Sequence, residues 1–136
     1  MAVKRKKTKL QKKKDNPRSK YWENKADEAW GELVHTVYTR CLVNADCAGH
    51  LEAHHLISRA NKMTRHKLEN AALLCSKHHK FCNKLSAHGA PLAFSEFLQE
   101  NYPHIWEWCS EHKYETGKAD YQIAYEELKQ KLADLG

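Results

Sequence analysis

The stretch CLVNADCAGHLEAHHLISRANKMTRHKLENAALLCSKHHKFCN, residues 41–83, decides how this chain folds and where its chemistry lies. It holds four of the five cysteines and six of the ten histidines, including the pairs His54-His55 and His78-His79. Within it, LEAHHLI (51–57) alternates imperfectly between apolar and polar residues, as a short half-buried strand does. Residues 58–68 are polar, rich in Lys and Arg and aperiodic, which reads as a loop. Ala72-Leu73-Leu74 makes a second short strand, and Ser76 is placed to cap a helix running through His79 to about Lys84. Strand, long loop, strand, helix is the expected local order.

Outward from this stretch the chain is helical. Asn16-Pro17 signals a helix start, since Asn caps and Pro suits the first helical position. Trp22, Ala26, Trp30, Leu33, Val34 and Val37 then recur at helical spacing to about Thr39. On the other side, Pro91 opens a helix with Phe94, Phe97 and Leu98 on one face, and Pro103 another with Ile105, Trp106 and Cys109. A last helix over 119–135 spaces Tyr121, Tyr125, Leu128 and Leu132 as a core stripe rather than a cofactor box. The expected class is α+β, mostly helical, in one domain over 16–136. Its core of two strands and a helix covers about 41–84, and a helical extension covers 85–136.

Charge narrows the function classes. The formal net charge of +6 is uneven, because residues 1–15 (MAVKRKKTKLQKKKD) are almost without apolar side chains and strongly basic. Such a segment is expected to be a disordered arm. It suits polyanion binding, with Lys4, Arg5, Lys6 and Lys7 as candidate phosphate contacts; a localisation signal or a solvated tail are the competing readings. The only other positive region is the His/Cys stretch, where Arg59, Lys62 and Arg65 of the loop are further candidates. No secretory leader or membrane-length apolar run is seen, and the odd cysteine count beside histidines suits a reducing, cytoplasmic setting with metal rather than disulfides.

Cys41, Cys47, Cys75 and His78 supply four soft or imidazole ligands in two pairs, the usual make-up of a structural zinc site. Cys82 could stand in for one of them, and buried free thiols are the bland alternative. His50-Leu-Glu-Ala-His54 is not a zinc-protease helix, because its Glu comes one residue late. Neither a Cys2His2 finger nor a zinc deaminase fits the spacing.

Phosphodiester hydrolysis needs a base for water and a cation to offset developing charge. His55 is the candidate base, and His54 with His79 are the candidate ligands of a catalytic divalent ion. Asn83, one helical turn beyond His79, is a further ligand candidate. Neighbouring strand residues face opposite ways, so using both His54 and His55 requires an irregular strand. Glu52 either orients a site residue or is an exposed carboxylate. His50 and His66 read as surface residues, and His88, His104 and His112 carry no assigned role.

LEAHHLISRAN, LENAALLC and SKHHKFCN together resemble the HNH nuclease family, over about a third of the chain. The resemblance implies a ββα-metal core, with His54 as ligand, His55 as general base, Asn70 as the central Asn bracing the loop, and His79 as the helix ligand. It implies an endonuclease cleaving DNA to 3′-hydroxyl and 5′-phosphate ends with Mg, Mn, Zn or Ni, in a bacterial or phage-infected cell. Many members add a zinc site of two C-x-x-C pairs, for which C-x5-C and C-x-x-H stand here. The likeness extends to phage and prophage proteins, including nucleases of branched DNA, though the flanking helices carry no part of it. Two other readings stand beside it: a non-catalytic zinc-stabilised module that binds nucleic acid, and an adaptor whose acidic helical tail holds a protein.

Overall fold

A computed structural model describes residues 5–136; Lys4, a candidate phosphate contact, lies outside them. The fold is α+β and mostly helical, as the residue pattern predicts. A two-stranded antiparallel sheet, β1 (Leu51–His55) and β2 (Ala71–Cys75), sits at its centre. Around it run α1 (Lys9–Asp15), α2 (Lys20–Val37), α3 (Pro91–Asn101), α4 (Pro103–His112) and α5 (Tyr121–Leu135). Among the described residues, no helix is long and apolar enough to cross a membrane.

The sheet register pairs Leu51 with Cys75, Ala53 with Leu73 and His55 with Ala71 on one face, and Glu52 with Leu74 and His54 with Ala72 on the other. On the first face, Ala71 and Leu73 pack with Ala26, Ala29, Trp30, Leu33 and Val34 of α2 and Leu128 of α5. On the second, Ala72 and Leu74 pack with Cys41 and with Phe94 and Leu98 of α3. All five β2 residues are buried because both faces are covered, which explains a continuous AALLC where β1 keeps polar residues. Leu74, fully buried, contributes about 1.5–3 kcal/mol by leaving water.

Three local expectations change. Residues 9–15, expected to be disordered, form α1: the Thr8 hydroxyl caps it by accepting from Gln11 N (3.1 Å). The indole of Trp22 donates to Lys14 O (2.9 Å) and the Ser19 hydroxyl to Lys13 O (2.6 Å), so α2 holds this basic helix in place. Asn16 consequently closes α1, its Oδ1 accepting from Arg18 N (3.0 Å), and α2 begins after Ser19 instead of at Pro17. The expected helix over 76–84 is a single wide turn, Lys77–Phe81, closed by a bond from Cys82 N to Lys77 O (2.9 Å). Ser76 does not cap it; its N–H (3.0 Å) and hydroxyl (3.2 Å) both bond His50 O, extending the contact between the strands.

Candidate functional site

Cys41, Cys47, Cys75 and His78 converge, with their ligand atoms all within 4.8 Å of one another. Sulfur-to-nitrogen distances to His78 Nδ1 are 3.7 Å from Cys41, 3.7 Å from Cys47 and 3.2 Å from Cys75. A tetrahedral zinc with ordinary Zn–S and Zn–N bonds has S···N edges of roughly 3.5 Å, so the four groups fit a metal of that kind. Local sequence explains the second pair, since C-x-x-H spans the end of β2 and the wide turn. The first pair arrives on a tight loop: Asn44 and Asp46 adopt positive φ (50° and 52°), and Gly49 (φ 86°) leaves no room for a Cβ, which would meet Ser76 Cβ at 2.6 Å. Lys77 N bonds Ala48 O (3.1 Å) and Lys77 Nζ pairs with Asp46 (2.6 Å), closing loop and turn together.

The thiols do not ionise independently of one another. Burial, together with the thiols of Cys41 and Cys75, pushes Cys47 up to about 11. Burial works against Cys75 as well, but backbone donors from His78 and Ala48 draw it below the usual thiol value. Three sulfurs this close cannot all be thiolates unless positive charge sits among them. Cys82 stays outside this cluster.

A second cluster consists of His54, His79 and His88, again within 4.8 Å. His54 meets His79 at 5.0 Å and His88 at 5.1 Å between ring centroids. Glu52 Oε1 accepts from His79 Nδ1 (2.7 Å); a carboxylate only accepts, so Nδ1 carries the proton and Nε2 is left as the ligand atom. Burial and the neighbouring imidazoles lower His54 to about 3, so it is neutral with a lone pair to offer near pH 7.

The residue pattern offers Asn83 as a further ligand and gives His88 no role, whereas His88 is the residue that joins His54 and His79. The wide turn ends at Phe81, so Asn83 is no longer one helical turn beyond His79, and it is exposed. Residues 86–88 fold back instead, with Ala87 N donating to His78 O (2.8 Å) and His88 N to His79 O (2.9 Å). Gly89 permits this return, because a Cβ there would stand 2.5 Å from Ser86 Oγ and 2.8 Å from Lys80 O. Ser86 and Gly89 flanking a histidine were the available signal.

β1 is regular through His55, so the irregularity that would turn His54 and His55 to one side is absent. His55 faces α2 and lies flat on Trp30, with ring centroids 3.8 Å apart and planes 8° apart. Its Nε2 donates to Arg65 O (3.0 Å), which leaves a lone pair on Nδ1. Burial lowers it to about 4, against the opposing pull of that carbonyl bond. Asn70 is fully buried and clamps the loop: Oδ1 accepts from Ile57 N (2.6 Å), and Nδ2 donates to Ile57 O (3.1 Å) and Thr64 O (3.2 Å).

Arg65 is not a free phosphate contact. It is buried, its guanidinium forks onto Asp27 (2.8 and 2.7 Å), and Glu23 lies 3.8 Å away. His66, expected on the surface, is buried against the same carboxylate (2.7 Å). Burial opposes ionisation of Asp27, yet His66 and Arg65 hold its carboxyl well below the usual range. Lys62 leans on Glu23 (3.4 Å), while Arg59 is exposed and makes no ion pair among the described residues. Arg5, Lys6 and Lys7 are exposed, Lys7 pairing with Asp15. No protein-family model, curated protein or solved structure matches this chain.

Proposed function

We propose that this chain is a metal-dependent HNH-type endonuclease hydrolysing DNA phosphodiester bonds, with a separate zinc holding its frame at Cys41, Cys47, Cys75 and His78. The observation that carries the reading is the three-histidine cluster, in which His88 is exposed and His79 is oriented by Glu52. Three protein ligands with one side open is the arrangement of catalytic rather than structural sites. A divalent ion there would polarise the phosphate and offset charge on the leaving oxygen. Three imidazoles favour Mn, Zn or Ni over Mg, which prefers oxygen. β1 ends at His55, so for both to act on one phosphodiester the substrate would lie across that end, with the cluster on one face and His55 on the other. His55 is held in one tautomer by Arg65 O and one plane by Trp30, with Nδ1 left to accept a proton from water. Arg5, Lys6, Lys7, Arg59 and the lysines of α1 would neutralise the backbone.

One observation favours a second reading, a zinc-stabilised nucleic-acid-binding module without catalysis: His55 lies on Trp30, away from the three histidines. A single assay decides. Supercoiled plasmid is incubated with the protein and each divalent metal, beside His55→Ala and His79→Ala. Cutting by the wild type and loss of at least two orders of magnitude in either variant is expected for a missing base or ligand. Intact plasmid with every metal, or equal cutting by His55→Ala, refutes the nuclease.

A further inference from the structure

His54 belongs to a second feature besides the histidine cluster. It lines a cavity of about 480 Å³ between the end of β1 and helices α3 and α4, within the roughly 300–1,000 Å³ of small-ligand sites. Phe94 and Trp106 contribute aromatic wall, and Ser58, Ser95 and Ser110 contribute hydroxyls. Phe94 stands edge-on to His54, with ring centroids 6.2 Å apart and planes at 89°. Among the described residues no carboxylate lines the cavity, and Lys113 stands at its rim. Beyond the rim, Tyr114 is 82% exposed, with the Lys113 ammonium 5.1 Å from its ring centroid. Lys113 O accepts from Asn61 (3.2 Å), which ties this rim to the loop carrying Lys62.

Each property selects against other occupants. A purely apolar ligand would leave the hydroxyls and Lys113 unused, and an anion alone would leave the aromatic wall unused. A nucleobase with its phosphate uses both: a flat face against the wall, ring edges toward the hydroxyls, and the phosphate near Lys113. Tyr114 then offers the next base the ring face that the Lys113 ammonium does not cover. Because His54 is shared, a base seated here brings its own backbone to the histidine cluster. A base inside a duplex is stacked and paired on every side and cannot enter without being unpaired.

We propose that this cavity seats an unpaired nucleobase, so that the substrate class of the site is DNA unpaired at the nucleotide being cut. The inference rests on the nuclease reading for its consequence, and its test is binding, which does not need cleavage. Fluorescence anisotropy would compare a labelled single strand, the matching duplex, and an all-abasic strand of equal length and charge. The full chain is used, with Ca²⁺ as the divalent ion. The single strand is expected to bind about tenfold more tightly than the other two, the scale of one stacked base. Ser110→Phe, which fills the cavity, should remove that preference and leave duplex binding unchanged, with circular dichroism confirming its fold. Should Ser110→Phe not fold, the abasic comparison on the wild type decides alone. Equal binding of single and abasic strands, or an unaltered preference in folded Ser110→Phe, overturns the proposal. A protein that prefers unpaired bases but never cuts would refute the nuclease and keep the cavity. One that cuts duplex and single strand alike, with Ser110→Phe unaffected, would do the reverse.

Discussion

Replacing Asn70 by Ala tests how the loop between the strands is held. The amide makes three bonds, to Ile57 N, Ile57 O and Thr64 O, and Asn70, Ile57 and Thr64 are all buried. Alanine takes no partner's place, and the space is closed to bulk water. An unpartnered buried group costs about 1–3 kcal/mol. Thr64 O keeps its bond from Lys67 N (3.1 Å), and carbonyls tolerate the loss better than N–H groups, so the Ile57 N–H dominates and the sum comes to about 2–4 kcal/mol. That is a large share of the ~5–15 kcal/mol by which domains are stable. With a denaturant slope of about 2 kcal/mol per molar, the urea midpoint should fall by roughly 1–2 M at matched zinc concentration. Hydrogen exchange at the Ile57 amide gives an independent reading, because this N–H loses its acceptor even if only the loop opens. A midpoint within about 0.5 M of wild type together with unchanged Ile57 protection would refute the clamp.

Two further outcomes can be measured directly. Elemental analysis should find tightly held metal that Cys75→Ser loses and Cys82→Ser keeps, since only Cys75 belongs to the Cys3His cluster; the Cys75→Ser protein should also melt well below wild type, as structural zinc contributes directly to folding. Equal metal content in the two variants would dissolve that assignment. Stability should also fall with acid. Burial raises Glu23, but Lys20, Tyr121, Arg65 and Lys62 outweigh it and hold the carboxyl at about 2, and Asp27 is likewise depressed by His66 and Arg65. A carboxyl depressed in the folded state contributes stability above its unfolded pKa of about 4 and loses it as pH falls toward the folded value. Urea midpoints should therefore drop between about pH 4.5 and 2, and Asp27→Asn should flatten part of that slope; an identical slope in the variant would show that Asp27 carries none of it.

Local chemistry made much of this molecule readable from residues alone. The strand, loop, strand order and the last three helices follow from alternation, proline placement and apolar stripes, which depend on a few neighbouring residues. The C-x-x-H pair is also local, because a turn after β2 must bring Cys75 and His78 together. Strand pleating even stated the difficulty at His54-His55, and the regular ladder does turn them to opposite faces. What tertiary structure decided involves partners remote in sequence. Arg65 looked like a phosphate contact until α2 brought Asp27 and Glu23 against it. α1 is held by Trp22 and Ser19, which no property of a lysine-rich segment foretells. His88 becomes the third member of the histidine cluster because the wide turn stops early and the chain doubles back through backbone bonds to His78 and His79. Spacing along a chain can place ligands that share a turn, but a ligand delivered by a returning segment depends on where that segment finds its hydrogen bonds.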